Sequence, residues 1–237
     1  MVSDRIRKVL DHKSTQHQAD LLMLGKIAEK APISPNCMVL SPTPQIKGIQ
    51  TLLFNPLTER EDFIFYTDRL STLLIEHAVS LQPFASCQVV TPVGVEYMGR
   101  APTSSVSAVI LLRGGTILEP ALHRIVPDVR TGRILIQSSF RTGEPELHYL
   151  KLPEAIANDG LVLLLDAQMS SGGSALMAVR ILVDHGVQES RIVFVTMHAG
   201  RRGMARLLSV FADVRVVIAG WGEDGEERWV EKKYLGC

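Results

Sequence analysis

Residues 161–178 constrain the fold of this chain more than any other stretch. The apolar run Leu161, Val162, Leu163, Leu164 and Leu165 leads to an acid, Asp166, and then through Ala167, Gln168 and Met169 to the small residues Ser170, Ser171, Gly172, Gly173 and Ser174. An apolar helical pattern follows from Ala175. A strand that is apolar at every position is buried on both faces, which calls for a parallel sheet with helices on either side. The small residues let backbone N–H groups converge on an anion at the N-terminus of the next helix, where the helix dipole also favours negative charge. Asp166, at the carboxyl end of the strand, then stands beside that anion.

The rest of the chain repeats this rhythm of strand and helix. Strands are predicted at 106–112, 133–137, 191–196 and 214–218, and helices at 117–126, 174–185 and 203–211, with Pro127 and Gly186 as stops. Arg113, Gly114 and Gly115 form a tight connection after the first of these strands. Ligands of such sheets bind at the carboxyl ends of strands, where both Arg113 and Asp166 fall. Upstream, the apolar segment 46–54 closes with an Asn55-Pro56 turn, and Thr58 is placed to cap a helix of about five turns with acidic residues in its first turn. Residues 87–99 read as a strand and hairpin bent at Gly94, and 138–151 as a projecting hairpin or flap near the ligand end of the sheet. Amphipathic helices are predicted at 3–10 and 19–29, followed by an extended stretch held by Pro32, Pro35, Pro42 and Pro44. The expected organisation is an N-terminal helical extension and linker over 1–37 and one α/β domain over 38–237.

Charge and composition narrow the function. The 25 basic and 25 acidic residues balance, so no global field points to nucleic acid or to a membrane surface. A charged N-terminus and apolar runs no longer than strands predict a soluble, cytoplasmic chain. Cys37, Cys87 and Cys237 are odd in number and far apart, which argues against both a disulfide framework and structural zinc. No Lys follows the glycines of the loop, and neither GxGxxG nor GxSxG is present, so the P-loop, dinucleotide and serine-hydrolase readings fail. An acid followed four residues later by a hydroxyl-rich loop suits a ligand that presents a phosphate to the loop and sugar hydroxyls to the carboxylate. A ribose 5-phosphate moiety has that shape.

Other candidates keep two readings. Arg113 is either a site residue or a surface arginine, and Asp166 a site acid or the cap of a turn. Trp221 and Trp229 read as packing residues or as stacking partners for a base. Gly220, Gly222 and Gly225 form a glycine-rich turn or a substitute base pocket. Arg201 and Arg202 begin a solvated helix, and His185 lies where a helix C-terminal dipole favours it.

The stretch from Asp166 to Ala175 resembles the phosphate loop D-P-M-L-A-T-G-G-S-A of the uracil phosphoribosyltransferase family, and Arg113, Gly114, Gly115 is similar to that family's R-A-G. Thr43-Pro44-Gln45, the run 62–66 and Lys151-Leu152-Pro153 fit its eukaryotic branch. The runs 143–149 and 178–180 are most similar to the corresponding domain at the end of uridine-cytidine kinase-like proteins. The resemblance implies a type I phosphoribosyltransferase fold: a mostly parallel twisted sheet with helices on both faces, plus a projecting hairpin arm. It implies the conversion of uracil and phosphoribosyl pyrophosphate (PRPP) to UMP and pyrophosphate in pyrimidine salvage, with Mg²⁺ arriving on PRPP, in a homodimer. Arg113 and Asp166 would be catalytic, and Arg113, Asp166, Ala167, Gln168, Met169, Ser170, Ser171, Gly172, Gly173 and Ser174 would bind PRPP. Three positions depart from the pattern: Ser138 stands where a second pyrophosphate-binding arginine is expected, Ala167 replaces a proline, and no uracil-binding loop follows Val214. They leave two readings open: an enzyme with weakened activity, or a non-catalytic member that binds PRPP or a nucleotide in a regulatory or assembly role.

Overall fold

The apolar runs pair into one sheet in the computed structural model, which describes residues 34–139 and 143–236. In chain order the elements are β1 (Cys37–Val39), α1 (Pro44–Phe54), α2 (Arg60–Val79), β2 (Phe84–Val90), β3 (Glu96–Pro102), β4 (Val106–Leu112), α3 (Glu119–Ile125), β5 (Arg130–Ser138), β6 (Pro145–Lys151), β7 (Leu161–Leu165), β8 (Gln168–Met169), α4 (Gly173–Asp184), β9 (Ile192–Gly200), α5 (Arg201–Val210), β10 (Arg215–Gly222) and α6 (Trp229–Leu235). The main sheet runs β1-β10-β9-β7-β4-β5-β6, with the short β8 paired to β9. Every pairing in it is parallel except that of β6, which returns antiparallel along β5. From β4 the chain steps outward to β5 and β6, whereas from β7 it steps the other way to β9 and β10. The point where the winding reverses therefore lies between β4 and β7, the place in such sheets where ligands are held.

Burial follows from the sequence pattern. All of β7 and β9 and the five central residues of β4 are buried, as expected of strands covered on both faces. Leu161, Leu163 and Leu165 share one core with Ile49, Leu53, Phe63, Leu70 and Leu74 of α1 and α2, so those helices cover one side of the sheet. α4 buries Ala175, Met177, Ala178, Val179, Ile181 and Leu182 and touches α5 and β5. Among the described residues, no helix is long and apolar enough to cross a membrane.

Most of the predicted elements are present, with some corrections. The segment 46–54 is a helix, opened by Pro44 and capped by Thr43, whose hydroxyl accepts from the Ile46 N–H at 3.3 Å. Thr58 does not cap α2: its hydroxyl donates to the Leu52 carbonyl at 2.6 Å, and Glu59 takes the capping position without a side-chain bond. Gly220 and Gly222 belong to β10, where they pair with His198 and Gly200, so only Gly225 of the three glycines makes a turn, with φ +84°. β2 and β3 form the expected hairpin, bent at Gly94 with φ +82°. The helices predicted at 3–10 and 19–29 lie outside the described residues.

A polar clamp ties the amino ends of the three neighbouring strands β7, β4 and β5. Asp159, 2% exposed and just ahead of β7, accepts from the Ser107 hydroxyl of β4 at 2.5 Å and pairs with Arg130 at the start of β5. Removing Asp159 leaves the buried Ser107 hydroxyl without its acceptor and Arg130 without its counter-charge. Asp159→Ala should lower stability by roughly 2 kcal/mol, read as a shift in urea midpoint at unchanged slope.

Candidate functional site

β4 and β7 are parallel neighbours in register through Ile110 opposite Leu165, so they end side by side. Arg113 follows β4, across a cis Leu112–Arg113 peptide, and Gly114 and Gly115 open a turn of 3-10 helix. The glycines are required by proximity. A Cβ on Gly115 would lie 2.2 Å from the Leu165 carbonyl oxygen, and one on Gly114 would lie 2.5 Å from Asp166 Oδ1. Without side chains there, the Arg113 turn packs directly onto the end of β7 where Asp166 stands.

Beyond Asp166 the chain dips into the protein before it emerges as the loop. Ala167, Gln168 and Met169 are buried, and β8 sets Gln168 opposite His198 and Met169 opposite Ala199 of β9. Ser170 and Ser171 then reach the surface, Gly172 turns with φ +78°, and Gly173 begins α4. The N-cap position of α4 is Gly172, which has no side chain to cap the helix, and the first-turn N–H groups of such an end suit an anion. The loop rests on the start of α5 through bare backbone. A Cβ on Gly172 would come within 2.8 Å of the Gly203 carbonyl oxygen, and a Cβ on Gly203 within 2.2 Å of the Ser170 oxygen. Arg206 of α5 adds a hydrogen bond from its guanidinium to the Ser171 carbonyl at 2.9 Å. On the other side, Pro145 at the root of the β5–β6 hairpin approaches the position of a Gly173 Cβ to 3.7 Å, and Ser138 pairs with Pro145. The hairpin expected over 138–151 thus stands beside the loop, its residues 140–142 lying outside the described set.

The electrostatics centre on Asp166, whose carboxyl is only 2% exposed. Burial pushes its pKa up to about 6, against the opposing pull of the Arg228 guanidinium with which it forms an ion pair. Arg228 also meets Glu231 at 3.2 Å, and the other Glu231 oxygen meets Arg113 at 3.2 Å. Gln168 donates to the Glu227 carbonyl at 3.0 Å and to the Glu226 carboxylate at 3.3 Å. The segment from Glu226 to Glu231 therefore lies across Arg113, Asp166 and Gln168. Sequence reasoning missed Arg228, Glu231, Gly203 and Arg206. The available signal was thin: an Arg and a Glu three residues apart at the start of a short helix, and a glycine in the first turn of another.

The remaining candidates find structural places. Trp229 packs against Phe54 at 5.5 Å and stacks on His198 at 5.8 Å between ring centres. Trp221 lies under the Arg201 guanidinium at 4.6 Å, and His185 Nδ1 meets the Ile181 carbonyl at 2.7 Å at the end of α4. His198 is 1% exposed, has no hydrogen-bond partner among the described residues for either ring nitrogen, and is held neutral by burial, its pKa lowered to about 4.

A mostly parallel sheet with an antiparallel edge arm, wound outward from a switch point, is the type I phosphoribosyltransferase fold. The AQ2163 protein of Aquifex aeolicus shares it with a TM-score of 0.68 at 22% identity, over 81% of this chain and 90% of that one. The adenine phosphoribosyltransferase of Trypanosoma brucei shares it at 0.55 and 13% identity, over 83% and 90% of the two chains. Residues 39–228 match the family described as uracil phosphoribosyltransferase, and the chain belongs to that family. It is 38% identical over 200 residues to the uracil phosphoribosyltransferase of Dictyostelium discoideum, covering 84% of this chain and 90% of the relative. It is 43% identical over 187 residues to mouse uridine-cytidine kinase-like 1, covering 78% of this chain. The match spans about a third of that mouse relative's length.

The buried His198 has a measurable consequence. Its unfolded form takes a proton near pH 6.5 but its folded form only near 4, so stability is lost as pH falls through that window. Between pH 7 and pH 5 the wild type should lose about 2 kcal/mol more than His198→Leu, measured from the urea midpoints of both proteins at each pH.

Proposed function

We propose that this protein binds PRPP at the joined ends of β4 and β7 and transfers its ribosyl group to uracil, giving UMP and pyrophosphate. The observation that supports this most is the approach of the Arg113 turn to Asp166 across two side-chain-free glycines, with an uncapped helix end beyond. A sugar diphosphate needs these three functions on one short line. In this reading, the loop from Ser170 to Ser174 takes the 5-phosphate through backbone N–H groups and hydroxyls. Asp166 accepts the ribose hydroxyls. Arg113, with 65% of its side chain exposed, holds pyrophosphate in two contacts and stabilises the charge that grows on it as the glycosidic bond breaks. The β5–β6 arm limits access of water to the activated ribosyl centre.

The residues suit a magnesium ion brought by the ligand. Among the described residues no cluster of three His, Cys, Asp or Glu side chains could hold a metal by itself, whereas Asp166 offers one buried carboxylate beside the diphosphate position. Mg²⁺ is commonly held in this way, by one or two carboxylates and phosphate oxygens. Bound there, the ion would supply charge neutralisation for the departing pyrophosphate. The same reading takes the protein as a cytoplasmic homodimer, with residues 1–37 as an extension of the domain over 38–237.

A second reading has its own support. The end of β5 carries Ser138 in place of a cation, and only the short stretch 223–228, turned at Gly225, separates β10 from the last helix. On that reading the protein binds PRPP or a nucleotide without turnover and acts through regulation or assembly.

Calorimetric titration with PRPP and Mg²⁺, followed by labelled uracil, separates the two: UMP and pyrophosphate appear on the first reading, binding without product on the second. Ser171 is exposed, so Ser171→Trp should fold normally while it crowds the loop, weakening PRPP binding at least tenfold. An unchanged affinity would place the phosphate elsewhere.

A further inference from the structure

We propose that the segment from Arg228 to Leu235 is an internal strap that occupies the sugar and pyrophosphate positions, so that PRPP binds only when Arg228 and Glu231 withdraw. This rests on the reading of the site as a PRPP site.

Two opposite charges of one short segment are matched to the two charged groups that the ligand needs. Arg228 places its guanidinium on the Asp166 carboxylate, where the ribose hydroxyls would stand. Glu231 places an anionic oxygen on Arg113 at 3.2 Å, as a pyrophosphate oxygen would. The fit is close: a Cβ on Gly114 would lie 2.5 Å from Arg228 Nη2 as well as from Asp166 Oδ1. The guanidinium therefore fills the gap between the Arg113 turn and the end of β7, the space that a sugar joining those two points must enter.

The segment is built to be held yet to move. Trp229 and Val230 anchor it, the former among Phe54, Phe63 and His198, the latter 1% exposed with its N–H on the Gln168 side chain at 3.4 Å. Ahead of it, Gly225 turns with φ +84°, and a side chain there would meet no neighbour within 4 Å. A buried ion pair gains little net energy, because the desolvation of both charges offsets their attraction. Exchanging Arg228 and Glu231 for a ligand that satisfies Asp166 and Arg113 equally well is then a near-balanced step, and binding affinity is reduced by the fraction of molecules with the strap closed.

The affinity of the full chain for PRPP with Mg²⁺, measured by calorimetry, is compared with those of Glu231→Gln and Arg228→Gln. Glu231→Gln keeps the Asp166–Arg228 pair and hence the fold, and it should bind at least fivefold more tightly; Arg228→Gln should change affinity in the same direction. In the wild type, PRPP should speed amide hydrogen exchange across 228–235. Equal or weaker binding by Glu231→Gln, with exchange in that segment unchanged, overturns the strap and leaves the PRPP site standing. Weaker binding by Arg228→Gln also overturns it, making Arg228 a contact of the ligand. No PRPP binding by any of the three proteins overturns the site reading and the strap with it.

Discussion

A carboxylate that is 2% exposed at the end of an apolar strand is the constraint around which this structure is arranged. Moving such a charge out of water costs several kcal/mol unless donors and counter-charges replace the lost hydration, and each neighbour of Asp166 can be read as part of that replacement. Gly114 and Gly115 let a main-chain turn come close, Arg228 supplies the counter-charge, and Gln168 ties the segment that carries Arg228 into place. Burial pushes the carboxyl pKa up, and the Arg228 guanidinium pulls against that shift.

The same reasoning separates the two ends of the sheet. At the amino ends Asp159 is as deeply buried as Asp166, yet it joins three consecutive parts of the sheet through Ser107 and Arg130 and faces no anion loop. At the carboxyl ends the turn after β4, the loop after β8 and the root of the β5–β6 arm converge. One end therefore ties strands together through Asp159, and the other brings Arg113, Asp166, Arg228 and Glu231 into one charged cluster.

How far the sequence could be read depended on the range of the interactions involved. The strand of Leu161 to Leu165 and the strand of Val106 to Leu112 were legible to the residue, because continuous apolar runs bounded by Asp166 and Arg113 permit only one buried strand each. The break after Met169 was legible because Ser170, Ser171 and Gly172 interrupt the apolar pattern, although the helix begins at Gly173, one residue ahead of the expected Ser174. Residues 46–54 were not, since their mixture of apolar residues with Lys47, Gly48 and Gln50 fits either period, and the decisive Thr43 cap lies outside the apolar run. Thr58 looked like a cap because it precedes an acidic turn, but a tertiary partner, the Leu52 carbonyl, claims its hydroxyl. Arg228 and Glu231 were out of reach on pattern alone: their meaning comes from Asp166 and Arg113, which are far away in sequence and close only after the sheet has formed.

The backbone contact between Gly172 and Gly203 bears on how portable the anion loop is. Its glycines read as a self-contained motif, yet the first turn of α5, a separate element, packs against it through Gly203. A graft of the loop alone onto another parallel sheet would carry the motif without the Gly203 surface it packs against. The unit of inheritance here is the pair of helix starts, α4 and α5, pressed together at two residues that have no side chains.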